Sequence, residues 1–262
     1  MKLITLTDDR DIILPFYLAA EEWAARVLPA GQYFFAWQVE PTVICGRHQD
    51  MAAEVDLDYA VHKGIKVWRR KSGGGAVYAD YNNIMFSYIT PSSDVQTTFG
   101  DYTDMICSML AAIGIHAEAT GRNDISINGR KVAGNAFLKL PGRSIVHGTM
   151  LYDADFESMS HVLTPSKAKR ESKGVISVPS RITTLRNEGI SLSCSEFIQH
   201  ATACLCKDGA IIPDNDDIAK IKDIMQSYLD PEFLRRNHSC SSEAGYYNGL
   251  GLFKADTKID QH

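Results

Sequence analysis

Arg69-Arg70-Lys71-Ser72-Gly73-Gly74-Gly75-Ala76-Val77-Tyr78 sets three cations directly before three glycines and a strand-like tail. Glycine lets a backbone come close to a ligand where a side chain would block it. Successive unencumbered N–H groups form an anion nest, and adjacent guanidinium groups can grip phosphate or carboxylate oxygens in a bidentate way. The same residues also suit a basic, flexible hairpin loop, because Gly-Gly pairs punctuate turns of every kind. A helix at 56–63, stopped by Gly64, is followed by a strand at 65–68 that delivers the cations, so the glycines lie between two strands. A P-loop needs Gly-Lys-Ser/Thr opening a helix, and a dinucleotide fold needs its glycines at a strand-to-helix turn. Neither pattern is present, which argues against the common phosphate loops.

Outward from this run the elements alternate irregularly. Upstream, residues 2–6 alternate as a strand, 16–28 have helical spacing with Glu21 and Glu22 on the polar side, and 33–37 and 42–45 are short strands before Gly46-Arg47 breaks the pattern. Downstream, 84–89 reads as a strand and 101–113 as a helix. Residues 125–127 and 131–133 form a tight hairpin around Asn128-Gly129, and 135–139 and 144–152 are strands separated by Pro141-Gly142. After Phe156 the pattern is mainly helical, at 156–163, 196–206 and 216–229, with a basic stretch at 167–173. Residues from Pro231 to His262 are polar and suit a strand or two or a frayed end. Strands and helices mixed without regular β-α alternation predict an α+β fold, a mixed, mostly antiparallel sheet flanked by helices.

Composition limits the ligand. The 262 residues, 45% hydrophobic, suffice for one main domain with a substantial core. A net charge of -5 and a pI near 5.9 provide no global basic field for a nucleic acid, so an anion site must be local and its ligand small. The N-terminus turns acidic at Asp8-Asp9, without an apolar leader or an Arg-rich transit pattern, and no run is long enough to span a bilayer. A cytoplasmic protein with no membrane partner is expected. The six cysteines lack a C-x-x-C pair, which suits reduced, mostly buried thiols; Cys204 and Cys206 lie in helical apolar spacing and read as packing.

A second segment carries chemistry: Gly121-Arg122-Asn123-Asp124-Ile125-Ser126-Ile127-Asn128-Gly129-Arg130-Lys131-Val132-Ala133-Gly134-Asn135-Ala136-Phe137. Lys131 sits just past the turn, where Val132, Ala133 and Gly134 leave room beside its ammonium, a point charge with three donors. Asn123 and Asp124 can hold a metal ion or the polar edge of a nucleotide, and equally can serve as a turn or cap beside a solvated lysine. With His147-Gly148-Thr149-Met150-Leu151, Gly46-Arg47-His48-Gln49 and Lys173-Gly174-Val175-Ile176-Ser177-Val178-Pro179-Ser180-Arg181, in the same chain order, the sequence resembles the lipoate-protein ligase A family over about residues 1–240.

The resemblance implies the biotin/lipoate ligase catalytic fold, with a class II synthetase-like catalytic domain at 1–245 and a short C-terminal tail at 246–262. It implies an ATP-dependent, adenylate-forming ligase. The lipoate carboxylate attacks the α-phosphorus of ATP, and an acceptor lysine then attacks lipoyl-AMP to form an amide. Lys131 matches the family's catalytic lysine, in contact with the lipoyl carboxyl and the α-phosphate. Arg70 and Gly75, Ala76, Val77 and Tyr78 match nucleotide-binding positions, with Ser72, Gly73 and Gly74 shaping the loop. Asn123 and Asp124 match positions near adenylate and Mg2+, Asp124 being the metal candidate, and His147 can orient a carbonyl or backbone group. Val43, Trp37 and Val77 are candidate walls for the dithiolane tail, or ordinary core. The implied partners are lipoate and apo lipoyl domains of 2-oxoacid dehydrogenase E2 subunits or glycine cleavage H protein. A separate accessory C-terminal domain protein is a further one, since longer relatives carry such a domain.

The chain departs from the family pattern at Ala79, where a histidine usually follows the aromatic residue. Two other readings compete. An octanoyl or lipoyl transferase would use a cysteine thioester, yet neither the Lys131 segment nor Leu163-Thr164-Pro165 contains cysteine; a transferase half working from preformed adenylate would need none. A noncatalytic binding module is opposed by the acidic pI and the intact lysine motif.

Overall fold

The computed structural model describes residues 1–6, 12–92, 94–120, 123–164 and 181–236, and the strand pairs 246–247 and 252–253. The chain opens with β1 (Lys2–Ile4), α1 (Leu14–Val27), β2 (Tyr33–Trp37), β3 (Thr42–Cys45), α2 (Met51–Glu54), α3 (Leu57–Lys63), β4 (Lys66–Arg69) and β5 (Val77–Ala79). Next come β6 (Asn83–Thr90), α4 (Val95–Ala111), β7 (Glu118–Thr120), β8 (Asp124–Ile127), β9 (Arg130–Leu140), β10 (Arg143–Leu151) and α5 (Phe156–Val162). Then follow α6 (Cys194–Leu205), β11 (Ala210–Ile211), α7 (Asn215–Leu229), α8 (Pro231–Arg235), β12 (Tyr246–Tyr247) and β13 (Leu252–Phe253).

Eight strands form one sheet in the order β11-β1-β2-β6-β10-β9-β8-β7, and β4-β3-β5 form a smaller one. Pairing is antiparallel from β2 to β7 and parallel at β11-β1-β2 and at β3-β4, which makes the fold mixed and mostly antiparallel, as expected. Alternation sorts the strands of the large sheet by face. Phe35, Trp37, Met85, Ile89 and Ile145 join the core under α1 and α7, whereas Phe34, Phe86, Tyr88 and Val146 join the core under α4 and α6. A third core, around Val43, Val67, Tyr78 and Val162, lies between the small sheet and α2, α3 and α5.

Several expectations need correction. Residues 131–133 and 135–139 belong to one long strand, β9, with a register shift opposite Ile125/Ser126. Helix α4 starts at Val95 rather than near 101, because the Asp94 side chain accepts the Thr97 N–H as an N-cap. Strand β7 carries no apolar alternation and was not foreseeable from pattern. Glu21 and Glu22 are 1% and 0% exposed rather than on a polar face, because α1 is covered on both sides. The Asn128-Gly129 turn matches its expectation: both residues have positive φ, 52° and 74°, as a tight two-residue hairpin requires. The basic stretch at 167–173, Gly121, Arg122 and Lys173 to Ser180 lie outside the described residues. Among the described residues no helix is long and apolar enough to cross a membrane.

Candidate active site

The small sheet and the loop after β4 lie against the α1 face of the large sheet, and between them is a slot of about 170 Å³. Its apolar wall is Leu18 of α1, Trp37, Ile44, Val77 and Met85; its polar wall holds Arg70, Lys131, Asn123, Asn135, His147 and Thr149. Tyr17 of α1 stacks on Trp37 at 4.6 Å and fixes that ring. An open cleft of about 700 Å³, between the start of α4 and β7–β8, shares Asn123 with the slot and is also lined by Asp124.

Each of the three cations of the opening run is held by its own set of internal partners. Arg69 donates to the carbonyls of Gly46, Arg47 and Gln49 at 2.8–3.1 Å and to those of Leu234 and Arg236 at the end of α8. Lys71 meets Glu22 at 2.6 Å, donates to Ser227 Oγ at 2.8 Å and lies 4.2 Å above the Tyr228 ring. Arg70 faces the glycine loop from behind. Its Nε donates to Ser72 Oγ and the Gly73 carbonyl, one terminal nitrogen to Ile44, and the other to the carbonyls of Gly73 and Gly75 at 2.7 and 2.8 Å. Burial pulls this guanidinium down to about 10, so it keeps its charge at neutral pH. Because the N–H of a trans peptide points opposite its carbonyl, turning Gly73 and Gly75 towards Arg70 turns the Gly74 and Ala76 N–H groups away from it. Both residues line the slot. Arg70, which itself lines the slot, thus shapes the loop with most of its donors engaged.

The lack of a side chain shapes the site at Gly74 and at Gly134, for different reasons. Gly74 has φ +92°, and a Cβ on it would come within 2.8 Å of the Arg70 guanidinium. Gly134 has another reason: a Cβ there would lie 2.6 Å from Lys131 Nζ and 2.8 Å from its Cε. The Lys131 ammonium occupies the space that Gly134 leaves, 39% exposed and 2.8 Å from Asp124 Oδ1. Its carbonyl accepts from the Thr183 N–H at 2.8 Å, which holds this part of β9 in place.

Sequence reasoning located Lys131, His147, Arg70 and Gly74 to Val77 around one slot, with Asn123 and Asp124 beside it. Ser72 is buried behind the loop, bridging Arg70 and His147, and the Gly73 carbonyl faces Arg70. Tyr78 packs in the small-sheet core, as does Val43 opposite it, so neither is a slot wall, whereas Trp37 and Val77 are. Ala79 is fully buried in β5 opposite Thr42, packed in the core that contains Trp37 and Met85. The residue that the sequence reading missed is Glu21. Its carboxylate accepts from Ser87 at 2.5 Å and pairs with His147 Nδ1 at 2.8 Å, directly behind the slot. The available signal was its helical spacing from apolar and aromatic residues, four after Tyr17 and three after Leu18.

The site suits a short acyl chain ending in an anion. Apolar walls close one end, and a lysine and a nest of N–H groups meet the other. Among the described residues no three His, Cys, Asp or Glu side chains gather to enclose a metal. Asp124 engages Lys131 through one carboxylate oxygen, which leaves its second oxygen as a single carboxylate donor for a hard cation.

Comparison with known proteins identifies the family and the fold. Over its whole length the chain is 30% identical to a probable lipoate-protein ligase A of Mycoplasma pneumoniae, covering 80% of that protein. It is 39% identical over 170 residues to the lipoate-protein ligase LplJ of Bacillus subtilis, a match spanning 64% of this chain and about half, 51%, of that protein. The fold matches the bipartite lipoate protein ligase of Thermoplasma acidophilum, solved in a study of that ligase and its E2 lipoyl domain, with a TM-score of 0.75 at 24% identity, covering 92% of this chain and 97% of that one. Solved neighbours of the same fold carry lipoic acid or ATP. Residues 15–205 match the lipoyl protein ligase A/B catalytic domain, and the chain belongs to that family of ligases.

Proposed function

We propose that this enzyme activates lipoate with ATP to lipoyl-AMP and transfers the lipoyl group to a lysine of an acceptor lipoyl domain. The observation that carries the reading is the Lys131 ammonium, held in the space left by Gly134, beside both the apolar slot and the glycine loop. In the first step a carboxylate oxygen attacks the α-phosphorus and pyrophosphate leaves. Two anions must approach, so fixed cations and N–H dipoles lower the barrier by offsetting their repulsion and the charge that develops on the phosphoryl oxygens. Lys131 and the Gly74 and Ala76 N–H groups are placed for this, while Leu18, Trp37, Ile44 and Met85 hold the chain and dithiolane. Asp124 would hold magnesium, whose charge would offset that of the phosphates. In the second step the acceptor amine attacks the carbonyl of the mixed anhydride, the amide forms, and AMP leaves with the bridging oxygen.

Four of the cysteines favour the ATP route over a thioester. Burial pushes Cys45 up to about 12 and Cys206 up to about 11, and raises Cys107 and Cys194 as well, so these thiols stay protonated at neutral pH. The test incubates the protein with ATP, magnesium, lipoate and an apo lipoyl domain, following pyrophosphate and acceptor mass. Pyrophosphate release with a lipoylated acceptor is expected. Acceptor modification from synthetic lipoyl-AMP alone would instead make the chain a transferase half, and modification without ATP would overturn the reading.

A further inference from the structure

Behind the slot, six side chains form one hydrogen-bonded chain. Trp37 Nε1 donates to Ser87 Oγ at 2.9 Å, and Ser87 donates to Glu21 Oε1 at 2.5 Å. From the other side, Arg70 Nε donates to Ser72 Oγ at 3.0 Å, Ser72 meets His147 Nε2 at 2.6 Å, and His147 Nδ1 meets Glu21 Oε2 at 2.8 Å. Glu21, Ser72, Ser87 and His147 are all buried.

Donors and acceptors determine the direction of this chain. Indole and guanidinium N–H groups only donate, and an ionised carboxylate only accepts. Ser87 and Ser72 each receive a hydrogen bond from such a donor, so their own hydrogens pass onward, to Glu21 and to His147 Nε2. His147 is then left with its hydrogen on Nδ1, pointing at Glu21. Both arms terminate on the two oxygens of one carboxylate. The Ser72-His147-Glu21 spacing is that of a hydrolase triad, but Ser72 is buried behind the loop, does not line the slot and already accepts from Arg70. It is no nucleophile.

We propose that Glu21 is a positioning residue for the anion end of the site. Through His147 and Ser72 it holds the Arg70 guanidinium. Arg70 in turn holds the Gly73 and Gly75 carbonyls that turn the Gly74 and Ala76 N–H groups outward. The second arm, through Ser87, links the same carboxylate to Trp37 on the apolar wall. The neighbouring Glu22 has a different role, since its partners are Arg26, Lys71 and Tyr228. The identity of the anion rests on the proposed ATP and lipoate chemistry; the direction of the network does not.

Glu21→Gln keeps shape and volume but brings a donor to a position that faces two donors. With the amide nitrogen towards His147, relief requires His147 to move its hydrogen to Nε2, which takes from the Ser72 hydroxyl its acceptor and loosens the hold on Arg70. Calorimetry with magnesium-ATP, with lipoate and with the neutral analogue lipoamide tests the idea on wild type and variant. ATP and lipoate are expected to bind about tenfold more weakly, the scale of one charge-assisted hydrogen bond, while lipoamide changes by less than about twofold. Equal weakening of all three ligands would mean general packing damage and overturn the proposal, as would unchanged ATP binding. Ser72→Ala cuts the chain at its centre and should reproduce the selective loss; the double variant should be no worse than the weaker-binding single one. If Glu21→Gln does not fold, Ser72→Ala decides alone by the same ligand split. Should wild type bind neither ATP nor lipoate, the proposed function fails, and the network is read instead from amide exchange at Gly74 and Ala76. That exchange should be faster in Glu21→Gln or Ser72→Ala, and an unchanged rate would overturn the proposal.

Discussion

At the scale of single residues, the cations around the slot differ in how they are held. Arg69 and Arg70 are engaged with backbone carbonyls and Lys71 with Glu22, whereas Lys131 is 39% exposed on the slot wall. Lys131→Ala is expected to slow pyrophosphate release from ATP and lipoate by about 10²–10³-fold, the usual effect of removing one preorganised electrostatic donor. An undiminished rate in the purified variant would remove Lys131 from the chemistry. Gly134→Ala tests the space rather than the charge. Its Cβ would meet the flexible end of Lys131 and no backbone, so the lysine yields and the fold does not. Activity should fall about tenfold or more through misplacement of the ammonium, with the melting temperature held within about 2 °C. Lys131 was legible because the small residues that make its room are its sequence neighbours. Glu21 was not, because His147 lies 126 positions away and Ser87 lies 66 positions away.

At the scale of elements, α1 is the hub that the sequence understated. Two adjacent carboxylates read as a polar face, yet Glu21 serves the slot and Glu22 ties α1 to α7 and to the glycine loop. Tyr228 of α7 donates to Glu22 at 2.6 Å, Lys71 pairs with it at the same distance, and Trp23 Nε1 donates to Asp217. Burial pushes the Glu22 carboxyl up, but hydrogen bonds from Lys71 and Tyr228 and the charges of Lys71 and Arg26 outweigh it and hold the group below its ordinary 4.5. A carboxyl depressed in the folded state stabilises the protein above its unfolded value, and that stabilisation fades as pH falls through the folded one. Glu22→Gln should therefore cost about 3 kcal/mol at pH 7, because it leaves Lys71 beside a buried group without charge. The gap between variant and wild type in denaturant melts should narrow below about pH 4.5. A gap independent of pH would show that shape, not charge, makes the tie. Strands β2 and β3 were legible to the residue because apolar runs with β-branched and aromatic residues leave little choice. The start of α4 was not, since it depends on one capping aspartate.

At the scale of the whole molecule, the family match ends at residue 205, but the contacts that set the glycine loop do not. Ile221, Tyr228 and Leu234 complete the core over α1, Ser227 receives Lys71, and the Leu234 and Arg236 carbonyls receive Arg69. The run at 69–71 was read as an outward grip because a sequence displays charge and not the groups that absorb it, the furthest of them carbonyls some 165 positions later. A chain ended after Pro213 keeps the large sheet, including β11, and every slot-lining residue, yet removes α7 and α8. It leaves the buried Arg69 guanidinium without two of its carbonyls, Glu22 without its phenol partner, and Trp23 uncovered. Removing even one partner of a buried charge costs about 3 kcal/mol, so the shortened chain should melt at least about 6 °C lower. At a temperature where it remains folded, it should release pyrophosphate more slowly than the full chain, because Arg69 and Lys71 then brace the start of the loop with fewer partners. Restoration by a separately supplied 214–236 peptide would locate the effect in these contacts. If the shortened chain matched the full chain in both melting temperature and rate, the loop would be held from the sheet side alone, by Arg70 and the network that ends on Glu21.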